Sequence, residues 1–158
     1  RLYKDRVDLH GSPIELDWAQ TMPLKRIAIA VDFSKADAQL IKTAIAQAKP
    51  ETEFIFIHIV ESVTARYFQE SSDDEESRKD QEKLDKYATE LRGRGYVVST
   101  VLGYKNRVNE IVRLVDVVDA QLLVMGAHKH HGWKDYIFGE TIESVRHKLQ
   151  IPVLIVNY

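Results

Sequence analysis

Glycines and polar residues that could contact a ligand follow two apolar runs of the sequence. Gly126 and Gly139 bracket a loop after the run 121–125, and a helical pattern is predicted to begin at Glu140. The first N–H groups of a helix have no partner inside it, so they suit an anion such as phosphate. Asp32 follows the run 26–31. These positions predict an anion-binding crevice rather than a catalytic centre.

Patterns that support catalysis are missing from the sequence. The chain has no cysteine, which removes thiol chemistry and cysteine-bound zinc. No stretch matches the P-loop, the dinucleotide-binding glycine pattern or the nucleophile elbow of serine hydrolases. An adenylate-transferring enzyme is a further alternative, but no nucleophile and base are paired in the sequence. We therefore expect that the protein is not an enzyme.

The histidines suggest a metal site only weakly. His128, His130 and His131 crowd one loop, and imidazole is a common metal ligand. Neither a cysteine nor an obvious supporting carboxylate accompanies them, so we interpret them as solvated loop residues and expect no metal. His58 lies inside an apolar run, where a partly buried and hydrogen-bonded side chain is expected.

Apolar periodicity predicts an α/β fold. Near-continuous apolar runs are typical of parallel strands covered on both faces, and strands that alternate with helices form right-handed βαβ units. In such a sheet, ligands bind beyond the carboxyl ends of the strands. The predicted strands are 26–31, 54–60, 96–101, 121–125 and 152–156. Ser34 followed by Asp37 resembles a capping box for a first helix that Pro50 ends, and the other predicted helices span 75–92, 107–118 and 140–149. The acidic stretch 70–76 is predicted to be a loop and the start of a solvated helix.

Length and charge limit the remaining possibilities. The chain has 158 residues, 44% of them apolar, and a formal net charge of −2, which supplies no basic face for nucleic acid. No apolar run approaches the roughly 20 residues that cross a bilayer. Residues 1–22 are polar and aperiodic, so we predict an extended arm or linker, pinned by Leu16 and Trp18, before a domain at 23–158.

From residue 25 onward the chain resembles the universal stress protein family. The resemblance lies in IAIAVDFS in the first strand and LLVMGAHKHHGWKDYIFGETIESVRHKLQIPVLIV in the tail. It implies a doubly wound, five-stranded parallel sheet of the adenine nucleotide alpha-hydrolase-like type, with strand order 3-2-1-4-5. ATP-binding members carry Gly-x2-Gly-x9-Gly-Ser/Thr after strand four. Gly126 and Gly139 match that motif, whereas Lys129 replaces the inner glycine and Glu140 the Ser/Thr.

The resemblance also implies a set of nucleotide-binding residues. Asp32 and Ile59 correspond to the adenosine pocket, and a second interpretation of Asp32, a loop carboxylate that caps nearby N–H groups, stays open. Ile59 and Met125 also fit as ordinary core residues. The remaining candidates are Gly126, Lys129, Gly139, Glu140 and Thr141.

Glu140 decides which ligand we expect. A carboxylate at a helix N-terminus repels phosphate, and two like charges about 4 Å apart repel by about 4 kcal/mol at an effective dielectric near 20. We therefore expect Glu140 to mimic an anion, so that ATP binds poorly and the protein holds no resident cofactor. AMP, a nucleoside or a cyclic dinucleotide remains open. Lys129 loses the close backbone approach of glycine but brings an ammonium group.

A finer resemblance concerns the arm and the tail. KDRVDLHG together with KDYIFG and VRHK is similar to the cytosolic stress-protein domain fused to bacterial Nramp-family divalent metal transporters. It implies a non-catalytic regulatory or scaffolding domain that senses an adenine nucleotide, tethered at the cytoplasmic side of the inner membrane. The alternative is a freestanding stress protein that binds ATP or AMP. Either form is expected to dimerise through its last strand, which would otherwise be an exposed apolar edge.

Overall fold

Five strands and four α-helices alternate along the chain. The computed structural model describes residues 11, 13–20, 23–60, 71–104, 106–127 and 135–158. A short 3-10 helix, Trp18–Gln20, precedes the alternating elements. These are β1 (Arg26–Ala30), α1 (Asp37–Ala46), β2 (Glu53–Val60), α2 (Ser71–Gly93), β3 (Val97–Tyr104), α3 (Arg107–Val117), β4 (Leu122–Ala127), α4 (Asp135–Lys148) and β5 (Val153–Asn157).

The strands form one parallel sheet in the order β3-β2-β1-β4-β5. β1 lies in the middle, where Ile27 pairs with Phe54 of β2 and with Leu122 of β4. The chain winds outward from β1 to β3 and then returns to β4 on the other side of β1. This change of direction opens a crevice at the carboxyl ends of β1 and β4. The predicted fold class and strand order are confirmed.

Each face of the sheet carries its own apolar core. Successive side chains of a strand point to opposite faces, so Ile27 and Ile29 join the core under α1 and α2, whereas Ala28 joins the core under α3 and α4. Phe54 and Phe56 fill the first core, and Ile55 and Ile57 fill the second. This double burial explains why β1 and β2 read as unbroken apolar runs.

Several predicted boundaries are wrong. α2 begins at Ser71 instead of 75, so the part of the predicted charged loop that the structure describes is helical. α4 begins at Asp135 instead of Glu140. The charged and polar sequence that starts α2 lacks an apolar stripe, which hid its first turn from periodicity. In α4, Gly139 is a poor helix former, so that residues 135–139 resemble the end of a loop. β3 runs on to Tyr104 because it pairs with β2 along its whole length.

The start of α1 also differs from the predicted cap. α1 begins after Ala36, which has no side chain that caps the helix. The Ser34 hydroxyl oxygen accepts a hydrogen bond from the Ala36 N–H at 3.3 Å, inside the preceding turn. Asp37 does not close a capping box with Ser34, since its carboxylate accepts from the N–H groups of Asp32 and Phe33.

The described part of the N-terminal arm is exposed. Leu16 is 62% exposed and Trp18 is 74% exposed, so the prediction that these side chains pin the arm is wrong. Lys129, His128, His130 and His131 lie outside the described residues. Within the described ranges, no helix combines the length and the apolar character needed to cross a membrane.

Packing under α2 predicts a large cost for truncating its central leucine. Leu84 is fully buried in the core under α1 and α2. We expect Leu84→Ala to lower the free energy of unfolding by about 2–5 kcal/mol, because the cavity it leaves cannot fully collapse. Urea denaturation measures this loss. Leu16→Ala, at an exposed position, is the matched control and should change stability by less than about 0.5 kcal/mol; equal effects of the two variants would contradict the packing described here.

Candidate functional site

A cavity of about 520 Å³ lies at the carboxyl ends of β1, β2 and β4. The turn after β1, the start of α1, the exposed side of α2, the first residue of α3, the middle of α4 and the C-terminal residue complete its walls. Its size falls in the range of small-molecule sites, and its position is the crevice that doubly wound sheets use for ligands.

The structure brings five of the eight predicted site residues together. Those that line the cavity are Asp32, Ile59, Met125, Gly126 and Thr141. They come from four different elements or turns, and only the parallel sheet places their strands side by side. Ile59 and Met125 also belong to the apolar core under α3 and α4, so their interpretation as core residues holds as well.

Glu140 does not stand at the helix terminus where the sequence placed it. It is the sixth residue of α4, its side chain is exposed, and it is not among the residues that line the cavity. Only the first four N–H groups of a helix lack an internal partner, so the role of Glu140 as an anion mimic is wrong. Gly139 also lies within α4, and Lys129 lies outside the described residues.

The turn after β1 is held by a buried carboxylate that the sequence did not assign to the site. Asp37 is only 1% exposed and accepts hydrogen bonds from the Phe33 N–H at 2.8 Å and the Asp32 N–H at 3.3 Å. The Tyr87 hydroxyl of α2 donates to the same carboxylate at 3.0 Å. Phe33 is held at a φ of 62°, an uncommon value for a non-glycine residue. Asp37 thus fixes the backbone that presents Asp32.

Asp32 caps its own turn and also lines the cavity. Its carboxylate accepts a hydrogen bond from the Ser34 N–H at 2.9 Å, as the capping interpretation requires. The same side chain is exposed and lines the cavity. A carboxylate in this position can accept a hydrogen bond from a ligand hydroxyl or amine.

Burial changes the protonation of the group beneath this turn. Burial raises the pKa of the Asp37 carboxyl to about 6, against hydrogen bonds that favour its charged form. Burial also raises the pKa of the Tyr87 hydroxyl, which keeps it protonated as a donor. The Asp37 carboxyl, with a pKa of about 6, thus lies at the floor of the cavity.

Charged side chains of α2 form one wall of the cavity. The two ring nitrogens of His58 contact the Val31 carbonyl at 2.9 Å and the Asp80 carboxylate at 3.1 Å, which confirms the expected hydrogen-bonded and partly buried histidine. Lys83 pairs with Asp80 at 2.8 Å and lies 4.7 Å from the centre of the Phe33 ring. This wall therefore pairs most of its charges internally.

The C-terminal tyrosine closes the cavity on the α1 side. A Cβ added at Gly126 would lie 2.7 Å from Tyr158 Cε1 and 3.1 Å from Leu40 Cδ1, so only glycine leaves room for this ring. Burial raises the pKa of the Tyr158 hydroxyl to about 12, while a hydrogen bond with Ser34 works in the opposite direction. Tyr158 was missed because a single terminal aromatic residue gives no periodic signal.

Two further cavity residues were missed for a similar reason. Arg107 opens α3 and Glu76 lies on α2, and in the sequence each is one charged residue among many. Glu76 Oε2 is shielded from water and makes no hydrogen bond within the described part of the chain. Across those same ranges, no group of three or more histidine, aspartate or glutamate side chains is arranged to hold a metal ion.

A doubly wound parallel sheet with a crevice at its switch point defines the architectural class of this α/β domain. The model of the universal stress protein family matches residues 23–157, so the chain belongs to that family. A search of curated proteins finds no match.

Solved structures agree on the fold. Hypothetical protein MJ0577 has a TM-score of 0.73 at 22% identity, over 87% of this chain and 98% of that one. An Archaeoglobus fulgidus universal stress protein in complex with dAMP has a TM-score of 0.61 at 22% identity, over 85% and 98%. A universal stress protein in complex with cAMP has a TM-score of 0.57 at 17% identity, over 85% and 98%. At these identities, the likeness establishes the fold alone.

The buried Asp37 predicts a particular pH dependence of stability. Its folded pKa of about 6 lies above the ordinary value of 3.8, so the folded protein binds this proton more tightly than the unfolded chain does. Its stabilising contribution is complete below about pH 4 and is lost as the pH rises through about 6. Between pH 4 and 7, the wild type should lose up to about 3 kcal/mol relative to Asp37→Asn, since one pKa unit corresponds to about 1.4 kcal/mol.

Urea denaturation at several pH values tests this dependence. Asp116→Asn, at an exposed position on α3, serves as the matched control and should follow the wild-type profile. A constant difference between the wild type and Asp37→Asn across this pH range would show that Asp37 does not titrate there.

Proposed function

We propose that this protein binds an adenine nucleotide with a single phosphate group, such as AMP or a cyclic nucleotide, and reports its presence without catalysing a reaction. The observation that carries the proposal is the convergence of Asp32, Ile59, Met125, Gly126 and Thr141 on one cavity. Two stress proteins of similar fold are described in complexes with cAMP and dAMP, which supports the ligand class.

The lining suits a nucleoside in both shape and polarity. Ile59 and Met125 are almost fully buried and offer an apolar surface for the flat faces of a base. Asp32 offers a carboxylate that can accept from a ribose hydroxyl or an exocyclic amine. A few polar groups set in an otherwise apolar wall are typical of sites that orient a small ligand.

The internal pairing of the charged wall supports binding without catalysis. His58 lines the cavity and is a candidate general base. Its two ring nitrogens contact the Asp80 carboxylate and the Val31 carbonyl. A general base must reach the proton it removes, and these contacts direct the ring towards the protein itself. The family match and the complexes with cAMP and dAMP support the alternative, a stress protein that binds a nucleotide, better than a domain of an Nramp-family transporter. Attachment to such a transporter and tethering at the cytoplasmic side of a membrane stay predictions.

Dimerisation through β5 forms part of the proposal. β5 lies at the edge of the sheet, and its residues Val153, Leu154 and Ile155 are half-buried. An edge strand with apolar side chains offers unpaired backbone groups to a second copy. Light scattering at high micromolar concentration should give the mass of a dimer, and a monomer would contradict this part of the proposal.

A variant that fills the cavity tests the proposed ligand. We expect calorimetry to show micromolar binding of AMP to the wild type. Thr141→Phe should weaken it by about tenfold or more, because Thr141 lines the cavity and the larger ring occupies ligand volume. Thr89→Phe, on the exposed surface of α2, is the matched control and should bind as the wild type does. A wild type that binds neither AMP, cAMP nor adenosine would refute the proposed function.

The position of Glu140 gives a second test. The sequence alone placed Glu140 at a helix terminus, where its carboxylate would repel a phosphate. Since Glu140 is exposed in the interior of α4, we expect Glu140→Ser to change AMP and ATP affinity by less than about twofold in the same calorimetric assay. A large gain in ATP affinity would contradict this placement of Glu140.

A further inference from the structure

The cavity has cationic side chains on two opposite walls. Lys79 and Lys83 lie on α2, and Arg107 lies across from them at the start of α3. Lys79 pairs with Glu75 at 2.7 Å, and Lys83 pairs with Asp80 at 2.8 Å. The carboxylates and ammonium groups of the α2 wall thus neutralise one another, so this wall offers little net positive charge to an anion.

Arg107 is more buried than these two lysines, which are exposed. It is the first residue of α3 and is half-buried where it lines the cavity. Burial lowers the pKa of its guanidinium, and the nearby charge of Asp32 raises it. An arginine remains charged under all ordinary conditions, so this burial leaves a cation that is less well hydrated and interacts more strongly with an anion.

The backbone around Arg107 is fixed from two sides. The Asn106 side chain caps α3 by accepting a hydrogen bond from the Asn109 N–H at 3.0 Å. Glu110, one turn into α3, accepts from the Tyr104 N–H at 2.9 Å and so ties the end of β3 to the helix. A guanidinium based on a fixed helix start loses less entropy when it binds a ligand than one on a free loop.

We propose that Arg107 recognises the phosphate of the bound nucleotide, so that the preference of this protein for a nucleotide over a nucleoside comes from α3. This inference rests on the proposed function and deepens it. Asp32, which attracts Arg107, accepts from the nucleoside part, and the phosphate lies towards the guanidinium. The planar fork of arginine binds two phosphate oxygens at once, which a lysine cannot do.

The departures from the glycine motif agree with this assignment. The sequence has Lys129 and Glu140 where ATP-binding relatives have glycine and Ser/Thr, and Glu140 is exposed away from the cavity. A cation on the opposite wall supplies a different phosphate contact. One guanidinium binds one phosphate group in a bidentate manner, which is what the proposed monophosphate ligand offers.

A cycle that combines a protein variant with a ligand change tests the proposal. Calorimetry measures the affinities of adenosine and AMP for the wild type, Arg107→Gln, Arg107→Lys and Arg113→Gln. Arg113 lies on the same helix, is exposed and pairs with Glu110, so it is the matched control. We expect the wild type to bind AMP about tenfold or more tightly than adenosine, and Arg107→Gln to reduce that ratio to about twofold or less.

The other variants and the salt concentration sharpen the result. Arg107→Lys should give an intermediate ratio, because it keeps the charge and loses the fork, whereas Arg113→Gln should keep the wild-type ratio. AMP affinity should fall with added salt in the wild type and depend less on salt in Arg107→Gln. Thermal unfolding of each variant identifies any that is misfolded, and Arg107→Lys then carries the test in place of a misfolded Arg107→Gln.

The outcomes separate the two proposals. Wild type that binds adenosine and AMP equally, or Arg107→Gln that keeps the preference for AMP, overturns the role of Arg107 and leaves the nucleoside cavity standing. Wild type that binds neither ligand refutes the proposed function, and the role of Arg107 with it. Loss of the AMP preference in Arg113→Gln as well would assign the effect to the general charge of α3 and would also overturn the proposal.

Discussion

The buried carboxylate of Asp37 organises the centre of this molecule. It accepts hydrogen bonds from the N–H groups of Asp32 and Phe33 and from the Tyr87 hydroxyl, and so joins the turn after β1 to α1 and α2. A buried carboxylate is costly unless its acceptor capacity is used, and these three donors use it. The turn they hold is the one that presents Asp32 at the crevice where the sheet changes winding direction.

The cavity above this turn has two chemically different sides. On one side the apolar residues Ile59 and Met125 continue the core beneath α3 and α4, and Arg107 stands at its rim. On the other side α2 contributes paired charges around His58 and Asp80. An apolar slot beside one half-buried cation suits a ligand with a flat ring and one anionic group. This division of the walls underlies both the proposed function and the role of Arg107.

Prediction from the sequence was most accurate for buried segments, because their apolar residues recur at regular spacing. The β1 and β2 runs, the helical stripe that includes Leu84, and the α/β alternation indicated the sheet, and the family resemblance supplied the strand order. The same reasoning failed at the start of α4, because Gly139 is a poor helix former and makes the preceding residues resemble a loop. Misplacing that boundary made Glu140 look like a helix-terminal anion, although it is an exposed residue in the helix interior.

The sequence by itself determined the fold class and the parallel sheet, and through the family resemblance five of the residues that line the cavity, because each depends on local periodicity or on a motif that is contiguous in the chain. Only the tertiary structure decided that Arg107 and Tyr158 share a cavity with Asp32, and that Asp37 is buried beneath it. These residues are far apart along the chain or gain their role from burial. Single charged or aromatic residues form no sequence pattern, so the sequence could not predict that they lie close to Asp32.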